Sequence, residues 1–157
     1  MQVTSLNDLF DIAIQEEIYA QKFYLSAQEK TNDVKIRNFL HAIFREEQNH
    51  EKILRNIREL DLYDGSLPVN AAMLEAAQQA HRIVIPDSLD NLSLEDLFEI
   101  ALKKEAQAYT MYEQIAQTAV DEEVKSLFDN MANEERNHHK KINQFYLAKT
   151  GQMGYEG

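Results

Sequence analysis

The sequence predicts an all-α protein: a four-helix bundle of two duplicated helical hairpins joined by a long, partly helical crossover. Three observations carry that expectation. Four Gly and two Pro are the only strong helix breakers in 157 residues, while Ala, Glu, Gln, Leu and Lys abound. The chain repeats itself at a shift of 88 residues. Four long segments carry apolar residues at alternating spacings of three and four, the signature of a helix with one buried face.

The repeat comes first because it sets the architecture. "SLNDLFDIAIQEEIYAQKFY" (5–24) lies over "SLEDLFEIALKKEAQAYTMY" (93–112), and without a gap "DVKIRNFLHAIFREEQNHEK" (33–52) lies over "DEEVKSLFDNMANEERNHHK" (121–140). Between positions 5 and 53 there are 16 identities in 49. Each copy opens on Ser-x-x-Asp (Ser5/Asp8 and Ser93/Asp96), a capping-box-like start. The stretches "KTND" and "AVD" read as tight turns with Asp33 and Asp121 as N-caps. The expected long helices are therefore about 5–30, 33–61, 93–118 and 121–148. Turns this short make each consecutive pair antiparallel neighbours. The 1–157 chain thus reads as a single domain: hairpin one to about 61, a crossover over about 62–92 with a helix-like middle at 71–84, hairpin two to about 148, and a loose tail over 149–157.

The stripes locate the chemistry. The first long helix reads Leu6, Phe10, Ala13, Glu17, Ala20, Tyr24, Ala27, and the third reads Leu94, Phe98, Ala101, Glu105, Ala108, Tyr112, Ile115. The second reads Ile36, Leu40, Ile43, Glu47, His50, Leu54, Ile57, and the fourth Val124, Phe128, Met131, Glu135, His138, Ile142, Phe145. Each stripe is apolar except near its middle, where a glutamate sits, and two stripes add a histidine three residues on. The repeat chooses between neighbouring acids: Glu17 matches Glu105, whereas Glu16 matches Lys104. Glu46 and Glu134 fall one residue off the stripe and read as flanking surface acids. Tyr24 and Tyr112, two turns beyond Glu17 and Glu105, suit either a hydrogen bond to those carboxylates or plain core packing. His41, His81 and His139 read as solvated or locally bonded, and Met73, Met111 and Met131 as packing.

A single Glu-x-x-His is ordinarily a surface i, i+3 pair. Two copies in register, each with a further Glu on the preceding helix, point inward together. One bare buried carboxylate would cost far more than the roughly 5–15 kcal/mol that holds a domain folded. Mutual protonation is one way to neutralise four carboxylates and two imidazoles. Two divalent cations do so better, since their four positive charges balance four negative ones. An oxygen and imidazole donor set without sulfur suits iron or manganese, with zinc as a further substitute.

Composition narrows the rest. A formal net charge of −11 argues against nucleic acid or an anionic membrane as partner. With no cysteine, disulfides, Cys-ligated zinc, iron–sulfur clusters and thiol nucleophiles are excluded. Neither a signal peptide nor a membrane span is evident, so a soluble cytoplasmic protein is expected.

One Glu on each of two helices plus Glu-x-x-His on the other two resembles the ferritin-like di-iron carboxylate proteins. Within them, "AIQEEIYAQKFY" followed by "FLHAIFREEQNHEKIL", then the same again, looks most like the rubrerythrin-type branch. The resemblance covers about residues 5–148. It implies that Glu17, Glu47, His50, Glu105, Glu135 and His138 bind two iron ions, with Glu47 and Glu135 bridging and Glu17 and Glu105 terminal. It further implies a redox-active centre that oxidises Fe(II) while reducing hydrogen peroxide or dioxygen, and a homodimer or higher homo-oligomer. Two departures stand out. Rubrerythrins proper carry an additional Glu one turn after the third-helix ligand, where this chain has Ala108 (and Ala20 in the other copy), which weakens the case for a dedicated peroxidase. They also usually carry a Cys-ligated rubredoxin module, so here electrons would come from a separate donor protein. A ferroxidase feeding iron storage and a non-catalytic metal-binding or structural bundle are the alternatives.

Overall fold

The computed structural model describes residues 5–59, 69–80, 85–86 and 88–150. Five helices follow one another along them: α1 Leu6–Gln28, α2 Val34–Glu59, α3 Ala71–Ala80, α4 Leu94–Thr118 and α5 Glu122–Thr150. Both predicted capping boxes form, with the Ser5 and Ser93 hydroxyls accepting from the Asp8 and Asp96 amides and each Asp carboxylate accepting from its serine's amide. Asp33 caps α2 by accepting from the Lys35 and Ile36 amides, and Asp121 caps α5 in the same way from Glu123 and Val124. These caps satisfy amides that an α-helix leaves without partners at its first turn.

The helices pair as the short turns dictate. α1 packs along α2, and α4 along α5, to form two hairpins; α3 lies against α4 and α1, across one side of the bundle. The crossover helix is described over Ala71–Ala80, and residues 81–84, with His81, lie outside the described residues. So do residues 151–157, where a loose tail was expected; α5 itself runs to Thr150. No described helix is long and apolar enough to cross a membrane.

The core divides into two apolar clusters. One gathers Leu9, Phe10, Leu54, Met73, Met111, Tyr112, Ile115, Phe128 and Met131, with Phe128 edge-on to Phe10 at 5.4 Å. The other gathers Phe23, Tyr24, Ile36, Leu40, Ile43, Leu97, Phe98 and Ile142. Each fully buried large side chain among them contributes about 1.5–3 kcal/mol relative to exposure. The three methionines expected in the core are all there. Between the clusters lies a layer of buried charge.

Candidate metal centre

That layer consists of the six side chains singled out in the sequence. Glu17 comes from α1, Glu47 and His50 from α2, Glu105 from α4, and Glu135 and His138 from α5; none is more than 2 % exposed. The i, i+3 spacing in α2 and α5 places acid and imidazole on one face, one turn apart. The duplicated hairpins then bring the two faces together. His50 Nδ1 lies 2.8 Å from Glu135 Oε1, 3.4 Å from Glu47 Oε1 and 3.5 Å from Glu17 Oε1. His138 Nδ1 lies 3.3 Å from Glu47 Oε1 and 3.7 Å from Glu105 Oε2. The centres of the two imidazole rings lie 6.1 Å apart, with their planes inclined at 23°.

Buried polar atoms ordinarily find hydrogen-bond partners. Here six make no hydrogen bond of acceptable geometry: Glu17 Oε2, Glu47 Oε1, His50 Nδ1, Glu105 Oε2, Glu135 Oε1 and His138 Nδ1, even though His50 Nδ1 and Glu135 Oε1 lie close. Apart from Gln28 Nε2, they are the only such side-chain atoms among the described residues. Each of the six residues supplies one. The residues also fall into two sets, Glu17/Glu47/His50/Glu135 and Glu47/Glu105/Glu135/His138, each offering four donor atoms within 4.8 Å of one another. Glu47 and Glu135 belong to both. Three oxygens and one imidazole nitrogen per set, with no sulfur, fit iron, manganese or zinc.

Outside this ring the structure adds partners that the sequence pattern did not assign. Tyr24 donates to Glu105 Oε1 at 2.6 Å, and Tyr112 donates to Glu17 Oε1 at 2.5 Å. Each tyrosine therefore crosses to the other hairpin's acid, resolving the choice between a hydrogen bond and mere packing in favour of both. Burial, and then the negative charge of the neighbouring glutamates, pushes both phenols well above their ordinary range, so they remain donors.

Glu46 and Glu134 require a correction. Their side chains are about half exposed, yet they are not mere surface acids: Glu134 bonds His50 Nε2 and Glu46 bonds His138 Nε2, again across the hairpins. These contacts hold both acids below the usual carboxylate range. A proton held on Nε2 and shared outward leaves Nδ1 as the inward donor, the arrangement by which a carboxylate fixes the tautomer of a metal-binding histidine. The helical period showed only where these residues leave the helix, not how far a glutamate reaches. Their identity in both copies of the repeat was the available signal.

Glu16, set aside because its repeat partner is Lys104, is buried and pairs with that same lysine, Nζ to Oε2 at 3.0 Å. By contrast His41 is exposed beside Phe44, and His139 lies edge-on to Tyr109, both away from the centre.

Proton affinities within the layer are opposed. Burial, reinforced by the surrounding carboxylates, raises Glu47 and Glu135 well above the ordinary range. Burial acts in the same sense on Glu105, but the nearby imidazole of His138, with help from the Tyr24 phenol, outweighs it and the net shift is downward. Burial alone would lower the histidines; their carboxylate partners prevail, raising His50 far above its usual value and His138 to about 10. By themselves, then, the α2 and α5 donors hold their protons more tightly than usual, and a cation would compete with those protons.

With fold and site in place, comparison with known proteins is informative. A family model described as Rubrerythrin matches residues 1–58. No curated protein matches the chain. Among solved structures, a hypothetical protein from Pyrococcus furiosus superimposes with a TM-score of 0.70 at 24 % identity, over 95 % of this chain and 93 % of the other. A protein from Thermotoga maritima, described as a candidate ferritin-like diiron-carboxylate protein, superimposes with a TM-score of 0.76 at 18 % identity, over 93 % and 97 %. The fold is ferritin-like, and the first hairpin carries the rubrerythrin pattern.

Proposed function

We propose that Glu17, Glu47, His50, Glu105, Glu135 and His138 hold a pair of iron ions, and that the protein is a non-haem di-iron oxidoreductase acting on hydrogen peroxide or dioxygen. The observation that carries this reading is the set of six buried atoms without hydrogen-bond partners, divided into two four-atom groups that share Glu47 and Glu135. Glu47 and Glu135, which belong to both sets, would serve both ions, while Glu17 with His50 would hold one and Glu105 with His138 the other.

An iron pair supplies one electron per ion, and two electrons with two protons turn hydrogen peroxide into two waters. The residues of the chain do the remainder. Four carboxylates compensate two dications, so the dry layer stays near neutrality when loaded. Tyr24 and Tyr112 tie down one oxygen of Glu105 and of Glu17, which aims the other inward. Glu134 and Glu46 hold the imidazoles by Nε2. In this reading an external donor protein returns the electrons, which completes a peroxide-reductase cycle.

The test is anaerobic loading with Fe(II), metal analysis, and rapid mixing with hydrogen peroxide or dioxygen. Two irons bound per chain, oxidised quickly and recovered by a reductant, support the reading. Oxidation running far beyond two irons per chain indicates storage instead, and bound metal that is never oxidised indicates a structural role.

A further inference from the structure

Seen from the buried layer, the sides of the bundle differ. Apolar clusters lie at either end, with Phe128 in one and Phe98 in the other, and a charge crosses such material only at a high desolvation cost. On the side of α1 and α4, the cavity beside the acids measures about 20 Å³, room for about one water. The crossover's Ile85 is in its wall, and α3 packs against the same two helices. Between α2 and α5 the arrangement is different. A cleft of about 410 Å³ lies there, and the buried rings of His50 and His138 form its floor. A water needs about 10–15 Å³ of such space, so a cation fits with its hydration shell.

The cleft wall carries Glu46, Asn49, Glu134 and Asn137, two from each hairpin at equivalent positions of the repeat, and all four are exposed. Carboxylate, amide and water oxygens suit hydrated divalent cations. Glu46 and Glu134 differ from ordinary surface acids in reaching two surroundings at once. Their side chains are 52 % and 57 % exposed, yet they bond Nε2 of the buried His138 and His50. Nδ1 of each of those rings is one of the six inward atoms of the centre. Positive charge is present too, since Arg45 lines the cleft and Lys141 lies near enough to act on Glu46. What the wall offers a cation is therefore its oxygens rather than a net charge.

We propose that this cleft is the route by which divalent cations enter the centre, and that Glu46 and Glu134 bind each cation first, with its waters, before the inner donors replace them. The inference rests on the reading of the six buried residues as a two-metal centre. It gives the outer acids a second task beside holding the histidines. That task is kinetic, governing how fast the centre fills rather than how tightly it holds.

Cobalt(II) is a suitable probe, since oxygen and imidazole donors take it and its visible absorption follows binding after rapid mixing. Glu134→Gln keeps the length of the side chain and an oxygen for His50 Nε2 but removes the charge. Association is expected to slow about tenfold, the order for losing a charge that touches the cation, with dissociation changing much less. Asn49→Lys and Asn137→Lys, at exposed helical positions, are expected to slow association about fivefold at low salt, and Arg45→Gln to speed it by a similar factor. These changes shrink as salt rises. Gln107→Lys places the same charge in the wall of the α1 and α4 cavity and should leave association within about twofold of the wild type. Tyr19→Lys, at the exposed equivalent position of α1, is a second control should Gln107→Lys fail to fold. If a control slows loading as much as the cleft variants do, or those variants leave it unmoved while every protein still binds two metals, the route is overturned and the metal centre stands. If Glu134→Gln weakens affinity only through faster dissociation, the acid serves the histidine alone and its part as first contact falls. A wild type that takes up neither cobalt nor iron brings down both readings.

Discussion

The two helix pairs that meet at the centre differ in kind. α2 and α5 each contribute an acid and an imidazole, and the Glu46 and Glu134 carboxylates reach across to hold the opposite histidine; a polar cleft of about 410 Å³, lined also by Asn49 and Asn137, lies outside them. α1 and α4 each contribute one acid and one tyrosine, and between them lies the small cavity with the Glu16–Lys104 pair. The first pair repeats itself closely, since Glu46, Glu47, Asn49 and His50 recur as Glu134, Glu135, Asn137 and His138. Beside the buried acids, the second pair carries opposite charges at one pair of equivalent positions, Glu16 and Lys104. The difference is one of chemistry: α2 and α5 carry both imidazoles and the outer acids that hold them, whereas α1 and α4 carry acids tied by phenols.

The strongest way to break that comparison is at the shared acids. Glu47→Ala or Glu135→Ala removes an oxygen from both four-atom sets, and two-metal binding should be lost outright, as read by metal analysis after dialysis. Glu16→Ala, which lies in neither set, should leave two metals bound. Retention of two ions by Glu135→Ala would show that the centre does not bridge through α5.

Proton release sharpens the comparison next. Glu47, Glu135, His50 and His138, all on α2 and α5, have raised proton affinities, with His138 at about 10. His138, at about 10, is protonated at neutral pH, and a cation must displace that proton before it can bind; the raised affinities of the other three move their competition with the cation upward in pH. Metal affinity should therefore fall as pH falls, by about tenfold per pH unit for each proton displaced. Glu105, on α4, is shifted the other way and should contribute nothing to this slope. Pairing calorimetry in buffers of different ionisation enthalpy with titrations at pH 6 and pH 8 measures the count. Uptake without proton release would contradict the assignment of these donors.

The outer acids give a smaller effect. Glu46→Ala or Glu134→Ala frees Nε2 of the opposite histidine and is expected to cost about 10–100-fold in metal affinity, with the loss centred on the ion that the histidine serves. The helical period alone would have predicted no effect, because it places both residues off the stripe. That contrast marks where sequence stopped being sufficient. The repeat and the stripe made the bundle, the hairpins and the inward direction of the six polar residues legible, since each follows from spacing along one helix. Contacts between hairpins depend on the reach of long side chains around a helix, and no spacing within one helix encodes that. Glu16 teaches the same point differently. Its mismatch with Lys104 looked like evidence of unimportance, whereas in a two-fold arrangement opposite charges at equivalent positions are the pattern that attraction requires. The crossover was legible only as partly helical, because its described helix meets the bundle through few large side chains, Met73 chief among them.

The smallest expected effect lies on α1 and α4. Tyr24→Phe and Tyr112→Phe each remove a hydrogen bond to a buried carboxylate while keeping the ring, which packs in the apolar cluster to either side of the charged layer. The aromatic contacts, such as Tyr112 against Phe128 at 5.5 Å, should survive. Two metals should still bind, because each carboxylate keeps both oxygens. What is lost is the hold on Glu105 or Glu17, about 1.5–3 kcal/mol for a hydrogen bond to a charged acceptor when the acid is unligated, and less once a cation fixes it. The protein stripped of metal should therefore unfold at lower denaturant in either variant, with the loaded protein shifted less. Equal shifts in both forms would mean that the tyrosines serve packing alone, and that the α1 and α4 acids are aimed by the helices rather than by their phenol partners.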